Sequence, residues 1–320
     1  MTEGPLEHSN PDATAAATRR SSVDLREAWT TAMRRGDFAR AWEIADGALQ
    51  LRAGRPSPHD LPRHEQHIWN GTPMQGRRVL VRCYHGLGDT LQFIRFVPWL
   101  ATWCPQVTVW IQEKLVPLIA TMPQHGRLMR LHDGVPDVDY DVDVELTELL
   151  HAFRIMPSAL PAQVPYLHVP PVWKAGTLPC IGLVWRSGDW DGQRTIPRAL
   201  VEPLLAVPRV EWVVMQPGAT RRDWGRSDGR WPAAWDLMTY ARTVRSLDLL
   251  ITIDSMPAHL AGALGVPVWT LLPTPADWRW MEERDDTPWY PTMRLFRQGE
   301  PGCWEDVIAR VAGQLARAVD

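Results

Sequence analysis

The chain of 320 residues is long enough for about two domains with full cores. Its 34 basic and 37 acidic side chains give a formal net charge of −3 and form no basic stripe, so the electrostatic footprint of a nucleic-acid-binding protein is missing. No apolar run approaches the roughly 20 residues that span a bilayer, and the N-terminus lacks the apolar core of a signal peptide, so we expect a cytoplasmic protein.

The first part of the chain predicts helices rather than strands. Residues 1–22 are polar and aperiodic and are expected to form a disordered tail. Residues 23–53 predict a helical hairpin, and the segment RRGDFARAWEIADGAL resembles the second half of a tetratricopeptide repeat. A lone repeat must dock on the rest of the chain or on a partner; an unrelated helical hairpin is the alternative. Residues 54–76, rich in Pro, His and Gly, are expected to be an extended linker.

From residue 77 the sequence alternates between strand and helix patterns. Apolar runs predict strands at residues 77–83, 107–111, 128–131, 140–144, 180–185, 210–216, 249–253, 267–272 and 293–296. Helical patterns predict helices at residues 90–102, 114–121, 145–151, 198–206, 239–246, 258–264 and 303–318. A proline-rich connection at residues 157–173 divides the series into two α/β domains, residues 77–172 and 173–320. Alternation of this kind is typical of parallel sheets covered by helices, and two such halves describe facing Rossmann-like domains.

Open parallel sheets bind ligands at the carboxyl ends of their strands. Two facing sheets should therefore form a cleft, and the loops that follow the predicted strands should carry the chemistry. These loops are residues 84–89, 186–195, 216–230, 254–259 and 273–290.

Gly86-Leu87-Gly88-Asp89 lies at a predicted turn from strand to helix. Its glycines allow the backbone to approach a ligand closely, and Asp89 is placed to deprotonate an acceptor hydroxyl as a general base. Capping of the following helix is the alternative role for Asp89. The spacing does not match the dinucleotide-binding pattern GxGxxG.

Two further clusters predict an anion site. Arg186 and Arg194 bracket a polar loop and suit phosphate oxygens, with surface arginines as the alternative. Asp254 and Ser255 precede a short helix whose first N–H groups can hold a diphosphate, and Asp254 can accept from a sugar hydroxyl. The alternative is an ordinary crossover in which either side chain caps the helix. His259 follows one turn later, where a packed histidine is favoured over a catalyst.

No metal site and no cofactor are predicted. The four cysteines form no CxxC pair. Asp137, Asp139, Asp141 and Asp143 alternate on one strand face, which is more typical of a solvated acidic face than of a cation site.

Three segments together resemble a known family: RRVLVRCYHGLGDTLQFIRFVPWLA, CIGLVWRSGDWDGQRTIP and IDSMPAHLAGALGVPVWTLLPTPADWRW. Their combination and order resemble the heptosyltransferase-type glycosyltransferases of family 9, and most closely the bacterial branch in which tetratricopeptide repeats precede such a domain. The likeness covers about residues 69–316. It implies a GT-B fold and an inverting, metal-independent transfer from a nucleotide-sugar donor.

The resemblance also implies roles for individual residues. Asp89 is the implied base, and the predicted donor-binding residues are Gly86, Gly88, Ser187, Arg194, Gln216, Asp254, Ser255 and His259. The departures from the family at this site include the following two. Pro257 removes one N–H from the turn that should hold phosphate, and Gln216 stands where a ribose-binding acidic residue is expected.

The predicted function is transfer of a sugar, with heptose as the suggestion of the resemblance, to a hydroxyl of a glycan, lipopolysaccharide or protein. The predicted donor is ADP-heptose or another nucleotide-sugar. No nucleic-acid partner and no transmembrane segment are expected, whereas peripheral membrane association and a protein partner at residues 23–53 stay open. The alternatives are a catalytically degenerate scaffold protein and a nucleotide-sugar epimerase or hydrolase on the same fold.

Overall fold

The computed structural model describes residues 11–53, 62–173, 176–188 and 192–319, with the backbone alone for residues 11–22. Within these residues the chain forms nine strands, each close to a predicted apolar run: β1 Arg78–Arg82, β2 Gln106–Ile111, β3 Arg127–Arg130, β4 Val142–Glu145, β5 Cys180–Leu183, β6 Glu211–Val214, β7 Leu249–Ile253, β8 Val268–Leu272 and β9 Met293–Arg297. The central strands, such as β7, are buried along their whole length, as strands covered on both faces require.

The strands form two parallel sheets. The first has the order β3-β2-β1-β4 and the second has the order β6-β5-β7-β8-β9. In each sheet the chain first builds outward on one side of its first strand and then crosses to the other side. A topological switch point therefore lies between β1 and β4, and another lies between β5 and β7.

Helices cover these sheets and precede the first of them. In the described residues they are α1 Pro11–Arg34, α2 Phe38–Arg52, α3 Leu87–Phe93, α4 Val97–Trp103, α5 Val116–Ile119, α6 Leu149–Ala152, α7 Glu202–Leu205, α8 Arg221–Trp224, α9 Leu237–Arg245, α10 Met256–Ala263 and α11 Glu305–Val319. None of them combines the length and the apolar character that crossing a lipid bilayer requires.

Two sequence expectations about the helices were wrong. Residues 11–22, expected to be a disordered tail, belong to α1, while residues 1–10 lie outside the described part of the chain. The helices predicted at residues 90–102, 114–121 and 198–206 are interrupted by, or begin with, short 3-10 turns. In each case a proline stands in the first turn of the helix that follows, where it has no N–H to continue the preceding turn.

The helical hairpin of α1 and α2 packs against the first half of the chain. The Trp42 indole Nε1 donates to the carbonyl of Ile155 at 2.8 Å. Asp46 accepts from His151 Nε2 at 2.8 Å and from Arg154 Nη2 at 2.6 Å. Phe38, Ala41 and Trp42 of α2 are buried, so the apolar face of this helix is covered within the molecule.

The same hairpin also contacts the loop after β8, in the second half. The backbone N–H of Glu282 donates to the carbonyl of Arg34 at 2.8 Å, and Arg34 Nε donates to Ala276 at 3.2 Å. The rings of Trp29 and Trp278 meet edge to face with centroids 5.1 Å apart. The hairpin therefore docks on the body of the protein and bridges its two halves.

The segment expected to be an extended linker is packed where it is described. Met74 is buried, and the backbone N–H of Trp69 donates to Glu148 Oε2 at 2.8 Å. Residues 54–61 of that expected linker lie outside the described residues. Residues 62–76 thus belong to the surface of the first half.

Candidate active site

The turns after β1 and β7 meet between the two halves. Gly88 lies in the first turn of α3, and a Cβ built on it would lie 3.3 Å from the Met256 Cα and 3.1 Å from His259 Cδ2. The glycine therefore allows α3 to approach α10 of the opposite half, rather than only a ligand. Both turns also flank topological switch points, where parallel sheets bind ligands.

A cavity of about 720 Å³ with a mixed polar and apolar wall lies between the halves at this place. This volume is within the range of small-molecule sites. The structure brings all nine sequence-predicted site residues to its wall: Gly86, Gly88, Asp89, Ser187, Arg194, Gln216, Asp254, Ser255 and His259.

Asp89 is held at both carboxylate oxygens. Its Oδ2 accepts from the backbone N–H of Gly86 at 3.0 Å, which is the capping contact that the sequence left as an alternative. A Cβ on Gly86 would lie 3.1 Å from that oxygen, so the glycine makes room for the contact. Its Oδ1 pairs with Arg279 Nη2 of the opposite half. The predicted base is therefore oriented by its own helix and occupied by a cation from across the cavity.

Arg279 joins the two halves through its whole guanidinium. Beyond Asp89, its Nη1 donates to Asp277 Oδ1 at 2.8 Å and its Nε donates to Gln92 Oε1 at 3.0 Å. It also lies over the Trp278 ring, 4.6 Å from the centroid. Although burial acts to lower it, the two carboxylates hold the pKa of Arg279 above its ordinary value. This arginine is a fixed cation on the cavity wall.

Arg194 and Asp254 form a second ion pair. Arg194 Nη1 lies 3.2 Å from Asp254 Oδ2 and donates to the Asp254 carbonyl at 3.2 Å. The Asp254 side chain is only 4% exposed. Burial raises its pKa, while Arg194 acts against this rise. Asp254 is therefore an almost buried carboxylate that pairs with Arg194 on the wall of the cavity.

Gln216 organises the loop after β5. Its Oε1 accepts from the backbone N–H groups of Trp185 at 3.1 Å and Arg186 at 2.8 Å, and its Nε2 donates to the Arg186 carbonyl at 3.1 Å. The Ser187 Oγ lies 3.0 Å from Thr195 Oγ1 within the same loop. Residues 189–191 lie outside the described part of the chain. The side-chain amide of Gln216 thus holds the backbone of the loop after β5. This is a different role from direct contact with a ribose.

The first turn of α10 offers few backbone donors. Pro257 has no N–H, and the N–H of Ala258 donates to the Ser255 carbonyl at 3.0 Å. Ser255 is the N-cap residue, but its Oγ donates to the Ile253 carbonyl at 3.3 Å and does not cap the helix. The Ser255 side chain therefore does not cap α10.

His259 is the packed histidine that the sequence favoured. Its ring stacks on Trp280 with centroids 5.3 Å apart, and its Nδ1 lies 3.1 Å from the Tyr290 hydroxyl. Burial, assisted by Arg279, lowers the pKa of His259 to about 3. The imidazole is therefore neutral at physiological pH.

Burial of His259 predicts acid sensitivity. The unfolded chain protonates this histidine below pH 6.5, whereas the folded protein does not do so until about pH 3, so its contribution to stability falls as the pH drops through this window. Replacing His259 by phenylalanine removes this titration. The difference in unfolding free energy between variant and wild type should shift in favour of the variant by ~2 kcal/mol from pH 7.5 to pH 5. Urea denaturation at both pH values measures it, with the exposed His168→Phe as control; an unchanged difference would contradict the assignment.

His85 forms a further polar contact on the wall. Its Nε2 lies 3.5 Å from Glu145 Oε2, and Glu145 is buried. Glu145 also accepts from the Thr147 N–H at 2.7 Å, and burial raises its pKa to about 7. Burial lowers the pKa of His85, and Asp89 opposes this effect. His85 therefore adds an imidazole to the same cavity wall as Asp89.

Sequence reasoning named the loop of residues 273–290 but not the two charges it contributes, Asp277 and Arg279. Asp277 and Arg279 are two residues apart and lie on one turn. The ion pair between Arg279 and Asp89 joins residues that are 190 positions apart in the sequence. In the described residues, no three His, Cys, Asp or Glu side chains converge as a metal site would require. Asp141 and Asp143 instead pair with Arg78 and Arg82 on β1.

Two facing parallel-sheet halves with a cavity at the carboxyl ends of their strands define the GT-B class of fold. The glycosyl transferase family 9 protein from Veillonella parvula DSM 2008 shares it, with a TM-score of 0.55 and 14% identity over 77% of this chain and 97% of that chain. So does the dodecameric iron-containing heptosyltransferase TibC of enterotoxigenic E. coli H10407, solved in complex with ADP-D-beta-D-heptose, with a TM-score of 0.53 and 14% identity over 78% of this chain and 79% of that chain. The predicted GT-B fold is confirmed, and so, for the fold, is the likeness to family 9.

Among curated proteins, FlbA of Caulobacter vibrioides is 25% identical over 88% of this chain and 52% of its own length. The chain thus spans about half the length of this relative. No protein-family model matches the sequence.

Proposed function

We propose that the chain is a glycosyltransferase that moves a sugar from a nucleotide-diphosphate donor to an acceptor hydroxyl. One observation carries this proposal: a carboxylate from one half and guanidiniums from the other share a single cavity at the switch points of a GT-B fold. The carboxylate can take a proton, and the guanidiniums can bind a diphosphate, which are the two tasks of such a transfer.

The proposal assigns the donor to residues 173–320 and the acceptor to residues 77–172. The donor diphosphate lies against Arg194, Ser255 and the N–H of Met256 at the start of α10. ADP-heptose is the proposed donor, because TibC, which shares the fold, is described in complex with ADP-D-beta-D-heptose. A glycan, lipopolysaccharide or protein supplies the acceptor hydroxyl.

In the proposed step, the acceptor oxygen attacks the anomeric carbon from the side opposite the diphosphate. The new carbon–oxygen bond forms as the bond to the diphosphate oxygen breaks, which inverts the configuration. Asp89 takes the acceptor proton, and the nucleoside diphosphate leaves with the electron pair. The guanidiniums on the wall stabilise the negative charge that develops on the departing nucleoside diphosphate. We propose that they serve in place of a divalent cation, so transfer should persist in EDTA.

Arg194 tests the donor assignment. Replacing it by glutamine should weaken binding of the preferred nucleoside diphosphate by about 10- to 100-fold, because a charge-assisted contact is lost. Titration calorimetry with ADP, GDP and UDP measures this, with the exposed Arg222→Gln as the matched control. Asp254→Asn combined with Arg194→Gln avoids an unpaired buried carboxylate. Undiminished affinity in both variants would remove Arg194 from the donor site.

A binding or scaffold protein is the second candidate. Pro257, which reduces the backbone donors of α10, is the observation that favours it. Folded protein that binds no nucleoside diphosphate in the same titration would support the scaffold over the transferase. Release of free sugar from the donor without an acceptor would instead point to a hydrolase on this fold.

A further inference from the structure

The charges on the cavity wall balance one another. Within the described residues, the wall carries three guanidiniums and three carboxylates, those of Arg186, Arg194, Arg279, Asp89, Asp254 and Asp277. A diphosphate that enters such a site adds negative charge beside carboxylates that already occupy Arg194 and Arg279. Its binding is most favourable where it replaces one of these carboxylates on a guanidinium.

Asp89 is the carboxylate that is easiest to replace. Its side chain is 27% exposed, compared with 22% for Asp277 and 4% for Asp254. Asp277 also accepts from the backbone N–H of Arg279 at 3.0 Å, so a local turn holds it in place. Asp89 reaches Arg279 from the opposite half through one oxygen, while the N–H of Gly86 holds the other.

We propose that Asp89 occupies the place of a donor phosphate on Arg279, and that the diphosphate takes this guanidinium when the donor binds. The inference rests on the proposed function. Arg279 is then a second diphosphate-binding residue, beside Arg194. The exchange frees Oδ1 of Asp89 while Oδ2 stays on the N–H of Gly86. The base is therefore oriented at all times but available for an acceptor proton only after the donor has bound.

Inorganic pyrophosphate tests this exchange, because it carries the diphosphate without base or sugar. Asp89→Asn removes the competing charge and can keep the contact with Gly86. It should bind pyrophosphate about tenfold more tightly than wild type by titration calorimetry. Arg279→Gln should bind it about tenfold more weakly. Asp286→Asn and Arg284→Gln, a pair on the same loop that does not line the cavity, are the matched controls and should leave the affinity unchanged.

The double variant separates exchange from a general gain in positive charge. If Asp89 acts by occupying Arg279, the gain from Asp89→Asn disappears in the Arg279→Gln background. A gain that persists there, no gain in the single variant, or no pyrophosphate binding by wild type would overturn the inference. Sugar transfer by Asp89→Asn at the wild-type rate would contradict the assignment of Asp89 as the base. The pyrophosphate affinities would still decide whether Asp89 competes with a diphosphate for Arg279.

Discussion

Replacing Asp89 by asparagine is expected to lower the rate of sugar transfer by about 10²- to 10⁴-fold, the usual contribution of a general base. Asparagine matches the shape of the carboxylate and can accept from the N–H of Gly86, so the turn and α3 should keep their structure. It cannot take the acceptor proton. The loss should appear in kcat, measured with a saturating nucleotide-sugar donor, while the donor still binds.

Two controls make this result specific. Asp137→Asn removes an exposed carboxylate of the same half away from the cavity and should transfer sugar like wild type. Thermal unfolding of Asp89→Asn should remain close to that of wild type, apart from the loss of a partly exposed ion pair, which is worth about 0–1 kcal/mol. A kcat within twofold of wild type would exclude Asp89 as the base.

Replacing Arg95 by leucine is expected to lower the unfolding free energy by about 3–5 kcal/mol. The Arg95 side chain is buried between the rings of Tyr166 and Tyr290, 4.7 and 4.5 Å from their centroids. It donates to the carbonyl of Trp289 at 2.6 Å and to that of Gln92 at 2.8 Å. Leucine fills part of the volume but leaves these buried acceptors without a donor, and it breaks contacts that join the two halves.

Guanidinium chloride denaturation measures the loss. The exposed Arg245 on α9 provides the control, since its replacement by leucine should change stability by no more than about 0.5 kcal/mol. Arg95→Lys should recover part of the loss, because it restores the charge but not the flat contact with the two rings. If Arg95→Leu were as stable as the Arg245→Leu control, the contacts of Arg95 with the tyrosine rings and the carbonyls would not stabilise the fold, and the prediction would be wrong.

The sheets were predictable because buried parallel strands are marked locally by short β-branched runs, as in β7 and β8. The departures have local physical causes as well. α8 was missed because a single turn of helix in the polar loop of residues 217–230 has no apolar periodicity to reveal it. Its N-terminal signal was nevertheless present, since Thr220 and Asp223 form a capping box.

The site was predictable only to the level of its loops. The carboxyl ends of parallel strands converge by topology, so the residues around Asp89, Arg194 and Asp254 could be placed at one cavity. Which side chains pair across it depends on the relative placement of the two halves. The contact of Asp89 with Arg279 has no local pattern that would reveal it.

The helical hairpin has a consequence for how the chain can be divided. Because α1 and α2 hydrogen-bond both to Ile155 in one half and to Glu282 in the other, the free energy of docking them is shared by both sheets. The two halves and the hairpin should then unfold as one cooperative unit. An expression boundary drawn at residue 77, where the first sheet begins, would cut through a core and uncover Trp278, rather than remove an appendage.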